Sequence, residues 1–449
     1  MSILALSQVV NGARADTHPV ACRAGELITL GRLRAEIAHN ARALHGARRA
    51  LLVCDDSYSF VVGLLALLHA GADVVLPPNA QSGTLRLIGP SYDLLVGDRD
   101  RADIARTFVL QPADAPAEPM PLAVERSRID FFTSGSTGEM KRIEKSAALL
   151  EREAHVLDRL WGELLADARI YGTVSHQHIF GLTFKVMWPL LAGRCFSAAT
   201  HEVWETLLAE LTPNALIVSS PAHLTRLGGL RPLPETWRPR MILTAGAPLP
   251  LAAAAETHEI FGIAPTEIFG STETGAAAWR KVSAEPPLWQ PLPGVEVHAR
   301  DGGLLRLRSP FVAGDGWCDL ADRVAIAADG RFGFEGRADR VLKVEGKRVS
   351  LQQLEHDIAK LRWIDAAAAA AVGGERIFVG AVATLSPEGE TELARLGKFR
   401  FARLLRRELA AMHDAAVLPR RWRFVERMPM DGMGKRRHCD IVALLEDQR

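Results

Sequence analysis

Few cysteines and no surplus of either charge sign mark this 449-residue chain, and each scarcity removes a class of protein. The five cysteines (Cys22, Cys54, Cys195, Cys318, Cys439) are scattered, odd in number and never spaced as CxxC. That pattern argues against a disulfide framework or zinc ribbon and suits a reducing compartment. Lys plus Arg (54) and Asp plus Glu (53) almost cancel, unlike a nucleic-acid coat or a membrane-surface binder working by bulk charge. Met1 to Ala21 lacks a basic stretch followed by a sustained apolar one, so no signal peptide is read there. Long apolar runs are missing too. The most membrane-like window, Phe60 to Leu76, holds His69 and Asp73 and breaks at Ala70-Gly71-Ala72, which predicts a helix, a turn and a strand. The expectation is a soluble cytoplasmic protein with no nucleic-acid partner and no membrane insertion.

What is present is an ordinary enzyme composition, 48% hydrophobic and 24% charged, on a chain longer than one core usually spans. Strand-like runs at Ala50–Cys54, Asp73–Leu76, Ala215–Ser219 and Arg240–Thr244 alternate with helix-length segments, predicting an α/β fold with helix-covered parallel sheets. Pro-rich stretches at 112–121 and 229–239 read as connections. The run Ala366–Ala371 fits either an Ala-rich helix or a buried strand. Residues 340–449 carry 21 Lys and Arg against 15 Asp and Glu, whereas the rest carries 33 against 38. This step predicts a separate C-terminal domain that meets something anionic. Within it Phe401, Leu404, Leu405, Leu409 and Met412 fall on one helical face, with Arg400, Arg403, Arg406 and Arg407 mostly elsewhere, as a solvated face or a docking surface.

The most informative segment is Phe131-Phe-Thr-Ser-Gly-Ser-Thr-Gly-Glu-Met-Lys141. Glycines let backbone amides approach phosphate oxygens, hydroxyls add donors and Lys141 adds charge. The spacing matches neither the Walker A loop nor GxSxG or SxxK, which removes the P-loop, α/β-hydrolase and penicillin-binding readings.

The string Thr-Ser-Gly-Ser-Thr-Gly followed by a lysine resembles the signature of the AMP-forming adenylation superfamily, which includes acyl- and aryl-CoA ligases, adenylation domains and luciferases. Further segments resemble that family in the same order: Leu243-Thr-Ala-Gly-Ala-Pro-Leu249, Ile268-Phe-Gly-Ser-Thr-Glu-Thr-Gly275 (YGxTE), Trp317-Cys-Asp-Leu-Ala-Asp322 (TGD), Gly336 to Arg348 (GRxDxxIKxxGxR) and Pro429 to Lys435 (PxxxxGK). The resemblance implies an N-terminal adenylation domain over 1–338 and a small mobile C-terminal α+β lid over 339–449. It implies ATP and Mg²⁺ as cofactors.

Residue by residue, it assigns Thr133, Ser134, Gly135, Ser136, Thr137, Gly138 and Lys141 to the phosphates, and Gly246, Ala247, Pro248, Phe269 and Gly270 to the nucleotide. Asp319 would accept from the ribose hydroxyls and Arg337 would approach ribose or phosphate. Thr272, Glu273 and Lys435 would be catalytic, with Glu273 the Mg²⁺ ligand, as a carboxylate suits a hard cation. Asp339 would be the hinge about which the lid turns, delivering Lys435 for adenylation and then removing it. Lys343 and Gly346 would then line a tunnel for a phosphopantetheine thiol. Cys318, Met140, Gln353 and His438 depart from the family pattern and leave the catalytic charges in place.

Val174-Ser-His-Gln-His-Ile-Phe-Gly-Leu182 occupies the place of the family's acyl-pocket segment. His178, Phe180 and Gly181, with Ala245, Gly246, Ser271 and Gly275, would line the acid pocket, where Ala276–Ala278 and Trp279 leave room for a flat ring. His176 and His178, two apart on a strand, would share a side and could instead bind a metal, though no third ligand lies near in sequence. The stretch from Ser175 to Arg194 resembles ligases of aryl-polyene and xanthomonadin-type pigment clusters. It implies a hydroxybenzoate or hydroxycinnamate substrate and transfer to a phosphopantetheinylated acyl carrier protein, with free CoA as the alternative acceptor. Carrier proteins are typically acidic, so Arg400, Arg403, Arg406, Arg407 and the cluster Arg420, Arg421 and Arg423 would steer docking.

Overall fold

The computed structural model describes residues 2–101, 106–115, 122–134, 140–282, 288–344, 347–373, 377–410, 412–430, 436 and 438–447, with the backbone alone at 134, 140, 339, 341, 343 and 348. The chain forms two compact units. One comprises Met1–Thr133, Met140–Glu296 and Leu307–Cys318, and the other is mainly Val297–Arg306 and Asp319–Arg449.

The first unit is α/β, as the alternation predicted. Among the described residues, one of its sheets runs in spatial order Thr107–Val109, Leu94–Gly97, Arg49–Val53, Asp73–Leu76, Arg128–Ser134 and Met140–Ser146, parallel through the first five strands. The other has Thr266–Ser271, Met241–Ala245, Leu216–Ser219, Ile170–Gly172, Phe196–Ser197 and Pro19–Arg23 in parallel neighbouring order, with antiparallel strands at both edges. Leu216, Ile217 and Val218 are fully buried, as expected of strands covered on both faces.

The membrane-like window resolves into helix Ser57–His69 and strand Asp73–Leu76. Asp56 caps the helix by accepting from Ser59 N, and Gly71 at φ 77° turns the chain after it. The helix is apolar nearly all round because it is buried on nearly every side. No helix among the described residues is long and apolar enough to cross a membrane.

In the second unit the alanine run is a strand, Ile364–Val372, paired antiparallel with Phe378–Leu385, which is parallel to Arg421–Phe424. Its two faces serve two cores. Ala367 and Ala369 pack with Leu354, Ile358, Phe401 and Leu405, whereas Ala368, Ala370 and Val372 pack with Ile441 and Leu445. Small side chains let helices approach from both sides, and alternation of the two faces requires a strand. The basic helix Pro387–Leu409 breaks at Gly397 (φ 72°, ψ 157°). Phe401, Leu405 and Leu409 are buried as expected, but Met412 lies past the helix end and is 54% exposed, so it leaves the apolar face.

Candidate active site

In the first unit, three of the candidate segments sit where adjacent parallel strands of the larger sheet end. Strand Met241–Ala245 pairs in parallel with Thr266–Ser271 (Ala245 opposite Ile268) and with Leu216–Ser219, which pairs with Ile170–Gly172. The segments that follow three of these strands are Gly246–Pro248, the turn 272–274 and residues 173–181. Ligands of open α/β sheets collect at the carboxyl ends of the strands, and the chain order alone puts these three there.

Each segment is fixed by its own bonds. Gly246 adopts φ 98°, which favours glycine, and the loop after it is tied down where Leu249 N donates to Glu267 Oε1 (2.6 Å). Arg280 holds Glu267 in turn at 2.7 Å and lies over the ring of Trp289, which also meets Phe269. Thr272 and Glu273 form part of the hairpin turn between Thr266–Ser271 and Gly275–Lys281. Ser271 N donates to Thr274 Oγ1 (2.9 Å), and Ser309 Oγ donates to Thr274 O (3.1 Å). A side chain at Gly270 would strike Gly275 O at 2.2 Å, so the turn needs glycine there.

Strand Met140–Ser146 presents Lys141, whose Nζ lies 2.7 Å from Glu273 Oε1. Partial burial opposes ionisation of Glu273, but hydrogen bonds from Lys141, its own backbone and Ser271 hold its carboxyl below the usual range. Two residues from distant motifs thus meet as a cation and an anion, the pair a metal-bound triphosphate needs. Thr133 Oγ1 donates to Lys141 O (3.4 Å). Gly135, Ser136, Thr137, Gly138, Gly346 and Lys435 lie outside the described residues, as do the side chains of Ser134, Asp339 and Lys343.

The histidine segment differs from expectation. Residues 175–178 form a turn that opens the helical stretch Ile179–Ala192, so His176 and His178 are not successive same-side residues of a strand. His176 is buried, with Nδ1 on Ser57 Oγ and Nε2 on Cys54 O, both at 3.1 Å, and its ring 4.7 Å from Phe60. Burial, reinforced by Lys185, pushes its pKa down to about 3. Both ring nitrogens are used within the core, which removes the metal reading. His178 is half-buried and starts the helix, while Phe180 begins an aromatic row through Phe184, Trp188, Trp161 and Trp279. Gly181 is required because a side chain there would lie 2.1 Å from Ser175 O.

In the second unit, strand Trp317–Ile326 pairs antiparallel with Phe332–Arg337, and Asp322 stands directly opposite Arg337. Their charged groups are 3.7 Å apart, and Asp322 is 9% exposed. Asp319, assigned to the ribose from the sequence, is exposed and paired with Arg300 (2.7 Å) and Arg306 (3.4 Å). Residues three apart on a strand face opposite sides, so one carboxylate joins Arg337 and the other does not. Of the two carboxylates in the Trp317–Asp322 segment, Asp322 is the one that the strand pairing brings to Arg337, fifteen residues further along the chain.

The family model for AMP-binding enzymes matches residues 96–315. The chain is 28% identical over 408 residues to a 4-coumarate–CoA ligase of Rhodobacter capsulatus, covering 84% of this chain and 99% of that protein. It is 28% identical over 448 residues to a p-hydroxybenzoic acid–AMP ligase of Mycobacterium marinum, covering 88% of this chain and 61% of that one. The solved structure of ATP-bound MatB from Rhodopseudomonas palustris shares the fold with a TM-score of 0.81 over 99% of each chain, at 19% identity. Over residues 96–315 the chain thus matches the AMP-binding enzymes, a superfamily that contains the acyl- and aryl-CoA ligases. The protein is an AMP-forming acid–thiol ligase, and enzymes of this kind use ATP.

Proposed function

We propose that the protein adenylates an aromatic carboxylic acid of the hydroxybenzoate or hydroxycinnamate type and passes the acyl group to the phosphopantetheine thiol of an acyl carrier protein. The setting we infer is cytoplasmic synthesis of an aryl-polyene or xanthomonadin-type pigment. The observation that carries the adenylation chemistry is the Lys141–Glu273 contact at the carboxyl end of the sheet. Mg²⁺ fits there: it binds through one or two carboxylates plus substrate phosphates, and Glu273 supplies one ionised carboxylate beside a phosphate-seeking lysine. When bound, the metal would neutralise phosphate charge. Lys141 would then leave Glu273 for a phosphate oxygen, Asp322 and Arg337 would hold the nucleotide's ribose, and Lys435 would meet the charge developing at the α-phosphorus.

An aromatic acid is supported by the names of both sequence relatives and by the aromatic row that starts at Phe180. A pyrophosphate-release screen of aryl and alkyl acids tests this, with hydroxybenzoates or hydroxycinnamates expected to lead and a clear preference for alkyl acids contradicting it.

The acceptor has two readings. The 4-coumarate relative's name favours CoA. The basic surface of the second unit favours an acidic carrier protein, and the structure narrows that surface. Arg406 donates to Leu418 O and Pro419 O, Arg421 to Leu445 O, and Arg423 pairs with Asp447, so these three brace the fold. Arg400, Arg403 and Arg407 are exposed on the helix. Replacing these three with Glu is expected to raise the KM for carrier protein by about tenfold or more at low salt, with pyrophosphate release unchanged. Efficient turnover with CoA and no loading of any carrier would decide for the alternative.

A further inference from the structure

Lys145 is a buried lysine in a strand, and neither the phosphate motif nor the acid pocket accounts for it. It lies four residues beyond Lys141 on strand Met140–Ser146, so both point from the same face. Both reach one residue. Lys141 takes the Glu273 carboxylate, and Lys145 Nζ donates to the Glu273 main-chain O (3.1 Å) and to Phe311 O (2.7 Å). Lys145 is 3% exposed, and burial pulls its pKa down against the attraction of Glu153 and Glu273.

Glu153, 1% exposed, completes the arrangement. Its Oε1 accepts from Ala276 N (2.8 Å) and its Oε2 from Thr183 Oγ1 (3.5 Å), while burial raises its pKa against the pull of Lys145. The turn that presents Glu273 is therefore held on its entering side by a buried cation and on its leaving side by a buried anion. Gly275 leaves room for the latter, since a side chain there would come within 3.1 Å of Glu153 Oε2. Burying an ammonium on neutral carbonyls is unfavourable unless geometry and a counter-charge offset it, so an apolar residue would serve packing better.

We propose that Lys145, with Glu153 holding the other end of the turn at Ala276 N, is a positioning residue that sets the main chain of Glu273 and through it the direction of the carboxylate offered to metal-bound ATP. The inference rests on the reading of Glu273 given above.

The test uses the full chain with Lys145→Met plus Glu153→Gln, which removes both buried charges together, and with Glu273→Gln. Each is titrated calorimetrically with ATP at fixed Mg²⁺ without acid, then assayed for the Mg²⁺ dependence of pyrophosphate release. The double variant is expected to melt near the parent, to bind Mg·ATP about tenfold more weakly and to need about tenfold more Mg²⁺, since residues that orient a metal's ligands carry effects of that size. Its KM for acid is expected to be unchanged, a split that general loosening of the fold would not give. Lys145→Arg keeps the charge, displaces the donor and is expected to show the same shift in smaller measure, which covers failure of the double variant to fold. Parent-like ATP binding and Mg²⁺ dependence in whichever of these variants folds overturn the inference. Unchanged behaviour of Glu273→Gln would instead overturn the reading of Glu273.

Discussion

Lys435→Ala is expected to lower acid-dependent pyrophosphate release by about a hundred- to a thousandfold, the loss typical when one charged donor to a developing anion is removed. Transfer of the acyl group from supplied adenylate to the thiol is expected to stay within about threefold of the parent. The asymmetry follows from what each half-reaction needs. In the first, a carboxylate approaches a polyanion at the α-phosphorus, and an ammonium placed between them favours the transition state over the ground state. In the second, a thiol attacks a carbonyl, and a lysine left in that position would obstruct it. The residue lies at the end of the Pro429–Lys435 segment, outside the described residues, so the sequence pattern carries this prediction. Comparing pyrophosphate release with thioester formation from purified adenylate checks it, and equal losses in both would remove the need for a lid with two orientations.

The fold was legible because hydrophobic alternation and glycine punctuation report local geometry directly. Leu216–Ser219 and Met241–Ala245 fall within a residue of the runs that predict them. The motif strings likewise pointed to Lys141 and Glu273, which the structure brings into contact although 132 residues separate them. Partnership between charges was less legible. Arg406, Arg421 and Arg423 look like surface charge in composition, yet they cap carbonyls or pair within their own unit. Lys145 and Glu153 look like exposed positions because hydropathy treats any lysine or glutamate as solvated. A buried pair is readable only when the two elements carrying it are known to pack. The alanine run posed the opposite difficulty, since alanine satisfies helix and strand equally until helices are known to cover both faces.

Asp322→Asn is expected to raise the KM for ATP clearly more than Asp319→Asn, although the two carboxylates stand three residues apart. A hydrogen bond to a charged group contributes about 1.5–3 kcal/mol, so losing the Asp322 charge is expected to raise the KM for ATP by about ten- to a hundredfold with little change in the KM for acid. Asp319, 51% exposed at its side chain, makes surface ion pairs with Arg300 and Arg306. Such pairs contribute about 0–1 kcal/mol, and its substitution is expected to change either constant by no more than about fivefold. Deoxy-ATP separates a contact with the ribose from a disturbed strand. Removing the 2′- or 3′-hydroxyl is expected to weaken the parent and the Asp319 variant alike, but to add little to the loss already present in the Asp322 variant. Two changes at one contact are not additive, whereas changes at separate places are. If the Asp319 variant instead became indifferent to the missing hydroxyl, the ribose would belong to the exposed carboxylate. Arg300 and Arg306 would then have to release it when nucleotide binds.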